Sequence, residues 1–465
     1  MHYIDLIIIV IFLAGSAGFG IWQGRKNKSS SDYFVAGRSL PWITAMFSIV
    51  ATETSVLTFI SIPGLAYRGD WQFLQLALGY IAGRILVSIF LLPIYFKTGI
   101  TSIYEVLGNR FGHKIQKLAS GIFMITRVLA DGIRFLAVAV IVQLITGWSL
   151  SFAIIIIGLI TLVYTYSGGI RSIVWIDSFQ FLLYLSGGII SIIFVLANTD
   201  VSIINIIKDL YSENKFQILN LNWDVFTNPF AFISAFIGGT LLSFASHGAD
   251  YMMVQRVLGT KNLSSARKAM VGSGIFVFIQ FCVFLFAGSL IFYFFGGIEM
   301  ENDREFPTFI AQYLPIGLKG LLLAGVLSSA MSTLSSSINS LASSTMNDWV
   351  KKTRSLKLSR IVSLLWAVIL IGIALMFDEG DEAIIIIGLQ IASFTYGGLL
   401  SLFLLSKMKR DFSPTSIAIG LIFSILTVLV LKYFGLAWTW YIAFAVIVNI
   451  CITYILDNIL KINIK

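Results

Sequence analysis

Apolar runs of helix length follow one another from Tyr3 to Leu456 with only short polar breaks between them. Each is about 20 residues long, enough to cross the ~30 Å hydrocarbon core of a bilayer as an α-helix. A backbone in hydrocarbon must satisfy its own hydrogen bonds, so such a chain folds either as spanning helices or as a closed barrel. The runs are continuous rather than alternating, which argues against the barrel. With 57% of the 465 residues hydrophobic and only 12% charged, there is too little polar surface to cover a water-soluble domain of this size. Thirteen spans are expected, at about 4–22, 41–66, 73–96, 119–146, 149–166, 174–197, 228–256, 268–296, 316–342, 359–377, 382–405, 413–432 and 437–456. The first lacks a basic flank and a cleavage site, and reads as a retained helix rather than a signal peptide.

The net charge of +9 does not point to nucleic acid, because most of the 32 Lys and Arg residues fall in the short loops on one side of the alternating topology. That side is expected to be cytoplasmic, which puts the N-terminus outside and the C-terminus inside a plasma (bacterial inner) membrane. The external loop 200–227 carries a stretch around Ile204 to Tyr211 with the pattern of a short amphipathic helix. Acidic residues cluster at 299–305 and 378–382. With two Cys and three His, and no Walker loop, neither a soft-metal centre nor ATP-driven work is indicated. No nucleophile constellation suggests an enzyme.

Three spans are interrupted. The second contains ATETSVLTFISIPGLAYRGD, with Glu53 among hydroxyls before Pro63 and Gly64. The seventh contains LLSFASHGADYMMVQR, and the fourth contains TRVLADGIRF. Broken helices free carbonyls and amides at membrane depth, which is tolerated only around a protein-lined or watery cavity. Two breaks five spans apart are the pattern of an inverted-repeat transporter with its site near the midplane. The ninth span adds AGVLSSAMSTLSSSINS, in which Ser329, Ser332, Thr333 and Ser336 share one helix face. Small hydroxyl residues suit close helix packing. They equally suit a hard cation, which takes carboxylate, hydroxyl and carbonyl oxygens. Charges within spans are candidates for function: Asp177, which could equally cap its helix or pair with Arg171; Glu53, whose carboxylate needs a cation, an arginine such as Arg84 or Arg134, or a retained proton; and Arg134 itself.

Several motifs in series, DYFVAGRSLPW (Asp32 to Trp42), the second span, YSGGIRSIVWIDSFQ, MMVQRVLGTKNLSSARKAM and the Ser-rich ninth span, resemble those of the sodium:solute symporters. The resemblance implies an all-α polytopic fold like that of the leucine transporter, with five plus five helices in inverted repeat. It would place one extra helix at 1–36, the ten-helix core at 37–411 and two more helices at 412–465. It implies a first sodium site from carbonyls of Ala51, Thr54 and Ser329 and hydroxyls of Ser332 and Thr333. A second ion, in members that have one, would lie at Asp177 with Ser332, Thr333 and Ser336. Solute positions carried over are Ser55, Thr58, Phe73, Gln75, Ser243, Phe244, Gln280 and Gln390, with Glu53 at a departure from the pattern. The gating tyrosine of a sugar relative is replaced by Ser246, which disfavours a plain hexose.

In acid-transporting relatives an arginine of the third core helix holds a carboxylate, and Arg134 matches it; the alternative is that Arg134 pairs internally with Asp131 or Glu53. The implied function is sodium-coupled import of a small hydrophilic solute by alternating access, acting as a monomer. The solute leans to an organic acid or acidic sugar such as sialic acid. Alternatives are a neutral sugar or amino acid, or a membrane sensor or channel on a transporter-like core.

Overall fold

The computed structural model describes residues 2–54, 56–350, 355–376 and 384–462, and among them the regular structure is helical. The chain opens with α1 (Tyr3–Gly24) and a short α2 (Ser30–Val35), which starts at a capping box in which Ser29 and Asp32 exchange side-chain and backbone hydrogen bonds. The second span follows as two helices, α3 (Trp42–Glu53) and α4 (Val56–Arg68), inclined 60° to each other. Next come α5 (Phe73–Leu86), continued through a wider turn into α6 (Leu92–Thr98), then α7 (Tyr104–Phe111) and α8 (His113–Thr146). Helix α9 (Leu150–Ala197) is followed by the short α10 (Ile203–Ser212), at the expected amphipathic stretch, with Ile206 and Leu210 buried. The seventh span is also bent, by 62°, between α11 (Phe232–Gly248) and α12 (Tyr251–Leu258). The rest is α13 (Leu263–Phe294), α14 (Glu305–Gln312), α15 (Leu318–Ser344), α16 (Leu356–Ala374), α17 (Ile384–Lys407), α18 (Pro414–Tyr433) and α19 (Tyr441–Ile462).

Among the described residues, eight helices are long and apolar enough to span a membrane, and the two bent pairs make ten. Helix α9 must count twice. A straight helix of its 48 residues would be about 72 Å long, more than twice the ~30 Å hydrocarbon core. It breaks at Gly169, where φ is 59° and ψ −163°, a conformation reached almost only by glycine. Two further helices of membrane length, α8 and α17, complete the expected thirteen spans. The acidic stretch 378–382 lies outside the described residues.

Helix α15 is the central column. Its spanning window is 94% buried, against 22–56% for the other single-helix spans. It packs against α9, α8, α1 and α16. The second leg of α9 and the broken pair α3/α4 close around it, so a hydroxyl on almost any face of α15 meets protein rather than lipid. Close approach relies on glycines: a Cβ on Gly288 of α13 would sit 2.1 Å from the Pro63 carbonyl oxygen of α4.

A substitution test follows from the break in α9. Gly169→Ala would put a Cβ 2.5 Å from the Tyr33 carbonyl oxygen as well as forcing a strained backbone. It is expected to cost about 1–3 kcal/mol from the backbone alone, read as a lower unfolding temperature in detergent. Gly372→Ala, with nothing within 4 Å of the added methyl, is expected to leave that temperature unchanged or slightly raised.

Candidate functional site

The helix α3 ends because Thr54 leaves the helical region, at φ −78° and ψ 78°. Its carbonyl then points away from any helix ladder and is met by α15: Ser329 Oγ donates to Thr54 O at 2.8 Å. Thr333 Oγ1 donates to Ser329 O at 3.3 Å. Ala51, Thr54, Ser329, Ser332 and Thr333 are all buried where α3, α4 and α15 meet. Ser332 Oγ makes no well-formed hydrogen bond, although it lies beside the Asp177 carboxylate. An orphaned hydroxyl oxygen in a buried group of carbonyls and hydroxyls is an uncompensated desolvation cost, and an alkali cation would compensate it.

The other break is finished in the same way. Gly248 O at the end of α11 accepts from Tyr95 OH at 2.6 Å and Ala249 O from Tyr104 OH at 3.1 Å. Asp250 then caps α12 by accepting from Met252 N at 2.8 Å.

Asp177, on the second leg of α9, is fully buried. Its Oδ2 accepts from Ser48 Oγ at 2.6 Å, from Thr52 Oγ1 at 3.3 Å and from Arg256 Nη2 at 3.2 Å. Arg256 also donates to Ser48 Oγ at 2.8 Å and hydrogen-bonds Thr52 and Ser336. Of the group expected around a second ion, Asp177 and Ser336 are gathered around a guanidinium together with Ser48 and Thr52, whereas Thr333 bonds within α15 and the Ser332 hydroxyl lies on the other side of the Asp177 carboxylate. Sequence reasoning missed Arg256 because it stands at the edge of the seventh span, where a basic residue reads as a loop charge. The available signal was its place on a broken helix, in register with the polar residues of α12.

Glu53 is paired with Arg84 of α5, one of the two arginines proposed for it, and Arg84 also donates to Ser273 Oγ at 2.7 Å. His247 Nε2 lies 3.5 Å from the same Glu53 oxygen, and its Nδ1 is 2.9 Å from Ser246 Oγ. Gln280 Oε1 accepts from Thr54 Oγ1 at 3.0 Å, with its Nε2 unpartnered. Thr58 is buried, and Phe73 packs edge-on against Phe281. Ser243 is bonded to Tyr80 O at 3.0 Å, and Phe244 is buried near Phe90. Gln75 is engaged elsewhere: its side chain bonds Phe230 O at 2.9 Å and the Asn220 amide at 3.0 Å, tying down the loop between α10 and α11. Ser55 and the side chain of Gln390 lie outside the described residues.

Arg134 contacts Asp131 Oδ1 at 3.3 Å and not Glu53. Asp131 is shared with Arg127 Nε at 3.3 Å and with the Ser337 hydroxyl, while Arg127 reaches Asp250 at 3.3 Å. Arg134 and Thr333 line the same small cavity, with Asp131, Phe135, Val138, Ala330 and Leu334. Its volume, about 10 Å³, has room for roughly one water molecule. Arg134 Nε is buried without a partner, so part of the guanidinium fork is free for an acceptor.

Beyond the spans, at the outer end of α4, burial pushes the Glu305 carboxyl above its ordinary range while Arg68 beside it pulls the other way. Lys215, whose Nζ donates to Tyr67 O at 2.7 Å, is pushed down by burial.

Comparison with known proteins places this geometry. Residues 33–412 match the sodium:solute symporter family. The sodium/sialic acid symporter NanT of Aliivibrio fischeri is 28% identical over 448 residues, 92% of this chain and 87% of that protein. SiaT of Proteus mirabilis, also a sodium/sialic acid symporter, is 28% identical over 454 residues, 93% of this chain and 90% of its own. The solved structure of a Na+-coupled sialic acid symporter in a substrate-bound outward-open state superposes with a TM-score of 0.89 at 25% identity, covering 98% of both chains.

The Glu53–Arg84 pair yields a direct test. Glu53→Gln leaves a fully buried guanidinium without its anion and is expected to cost about 3–5 kcal/mol. The double variant Glu53→Gln/Arg84→Gln is expected to cost well under the sum of the two singles by thermal unfolding. Additive losses would show that the two side chains do not act as a pair.

Proposed function

The chain belongs to the sodium:solute symporter family, and from that premise we propose that its solute is an organic acid or acidic sugar of the sialic acid type, imported with sodium by alternating access. The observation that carries this reading is the placement of Arg134. Its partly unpaired guanidinium and the candidate ion ligand Thr333 wall one cavity. A carboxylate seated on Arg134 by the two-pronged geometry arginine favours would lie close to a sodium held by Ser332, Thr333 and the carbonyls of Ala51, Thr54 and Ser329. Anion and cation would then attract each other in a low-dielectric site, so each raises the affinity of the other. The two sialic acid relatives, similar along nearly the whole chain, support the same class of solute.

The ion's role follows from the contacts of α15. In this structure Ser329 ties Thr54, at the break after α3, to α15, and Thr52 reaches Ser336 one turn earlier at 3.4 Å. A sodium on Ala51, Thr54, Ser332 and Thr333 would tie the same two elements more strongly and give the orphaned Ser332 oxygen a partner. Binding would favour the arrangement in which the broken span is held against α15. Release on the side with less sodium would loosen it. With the basic loops inside and the N-terminus outside a plasma membrane, an inward-negative potential adds about 2.3 kcal/mol per 100 mV for each charge moved. The ten-helix core is assigned to 37–411, working as a monomer in the bilayer and performing no covalent chemistry. The solute contacts are assigned to Glu53, Ser55, Thr58, Phe73, Ser243, Phe244, Gln280 and Gln390 around the break, with Gln75 as a strut of the external loop.

A second reading, a neutral sugar or amino acid, draws on the contact between Arg134 and Asp131, which partly neutralises the guanidinium. The two are separated by a thermal-shift screen of the purified protein with and without sodium, across sialic acids, neutral sugars, short carboxylates and amino acids. Stabilisation is expected only with an acidic solute and sodium together. Solute binding that is indifferent to sodium would sink the proposal, and selective binding of a neutral solute would establish the second reading. Ser332→Ala and Thr333→Ala are each expected to raise the sodium concentration needed for half-maximal solute binding. Arg134→Gln is expected to weaken acid binding by about ten- to a hundred-fold, the worth of a charge-assisted hydrogen bond.

A further inference from the structure

Helix α10 carries more apolar surface than the protein covers. At about 100° per residue, Ile206, Leu210, Ile203, Ile207, Tyr211 and Ile204 follow one another around an arc of about 160°, and Lys208, Ser212, Asn205 and Asp209 fill the opposite one. Only one edge of the apolar arc is packed: Ile206 and Leu210 are 0% and 1% exposed. Ile204 and Tyr211, at the other edge, are 63% and 73% exposed, with Ile203 and Ile207 exposed between. Asp209, at the end of the polar arc nearest Ile206, accepts from Tyr293 OH of α13 at 3.3 Å. The circumference of α10 is thus divided into a side against α13, a polar side, and an apolar side left exposed. We infer that this third side is seated in the lipid interface of the membrane, among phospholipid headgroups and the first acyl carbons, so that α10 is a membrane-surface anchor.

Position and chemistry carry it together. Helix α9 spans the membrane, and Ile189 and Ile193 on its last turns are exposed as lipid-facing side chains are. Ile193 stands about one turn, roughly 6 Å, from the end of that helix, and only residues 198–202 separate α9 from α10. The short link keeps α10 at the level where hydrocarbon gives way to water. There its three sides have three different neighbours: protein, water and lipid. Lys208 stands on the border between the apolar and polar sides, where a lysine lays its stem along acyl chains and extends its ammonium to lipid phosphates. Tyr211 is a residue type enriched at that depth. The exposed side is too small for a second copy of the chain, since four side chains fall far short of the roughly 20–30 residues a side that a stable protein interface takes. The anchor also reaches the broken second span. Just after α10, Lys215 Nζ donates to Tyr67 O at the end of α4 at 2.7 Å, and Gln217 O accepts from Trp71 N at 3.1 Å. The lipid surface is thereby connected to the second half of that span, whatever solute the protein carries.

The test maps lipid contact on the unsubstituted protein. The full-length chain is reconstituted in phospholipid vesicles containing a lipid with a photoreactive diazirine on its upper acyl carbons, irradiated, digested and mapped by mass spectrometry. Adducts are expected on Ile204, Ile207 and Tyr211, as on the lipid-facing Ile193 of α9, and not on Asn205 or Asp209. Labelling of Ile193 with none on α10 would overturn the inference, whether water or a second copy of the chain covers the face. Equal labelling of the apolar and polar sides would overturn it too, since a helix seated in the interface keeps one side in water. Ile204→Asp combined with Ile207→Asp is expected to remove the α10 adducts and leave that on Ile193. A folded double variant that keeps them would show that the apolar side is not what seats the helix. Should that variant fail to fold, the map of the unsubstituted protein decides the question.

Discussion

A helix that stops halfway through a membrane leaves backbone groups without partners, and each such group left bare in hydrocarbon costs several kcal/mol. The breaks after Glu53 and Gly248 can therefore exist only where other elements supply donors and acceptors. Hydroxyls do this at both: Ser329 caps the Thr54 carbonyl, and Tyr95 and Tyr104 cap those of Gly248 and Ala249. The requirement explains why α15 is buried on nearly all sides, and why α6 and α7 return to pack against the seventh span. The polar interior of this protein is a consequence of its two broken helices.

The same economy governs the charges. The buried carboxylates around the breaks face arginines: Glu53 with Arg84, Asp177 with Arg256, and Asp131 and Asp250 with Arg127 and Arg134. Buried pairs of this kind add little net stability relative to an apolar core, but losing one partner is costly. They therefore fix which helices are neighbours. Arg256 joins α12 to α3, α9 and α15, and Arg127 joins α8 to the start of α12. Any motion that opens one face of the transporter must carry these sets of helices together or exchange their partners.

Much of this was legible in the residues. Span lengths gave the thirteen helices, and the positions of ATETSVLTF and SFASHGAD marked the two bends, which the structure shows at 60° and 62°. That Glu53 would need a cation, an arginine or a retained proton was also legible, since a bare carboxylate among apolar neighbours is costly. The choice of Arg84 over Arg134 was not. Both arginines lie in spans, and only the packing of α5 beside the broken second span brings Arg84 within reach. Gln75 shows the opposite case: its position suggested the solute, but the folding of the loop between α10 and α11 over α5 claimed its amide.

The sequence by itself determined that the chain spans a membrane, where its helices break, and which side chains are too polar to face lipid. These are local properties, set by apolar length, glycine and proline, and the cost of burying charge. Tertiary structure decided which polar groups became partners. Asp177 and Arg256 are 79 residues apart and Arg256 and Ser336 are 80, so no spacing rule connects them. Whether the hydroxyls of α15 hold an ion or a guanidinium depends on which side chain from another helix reaches them first, and only the assembled bundle fixes that.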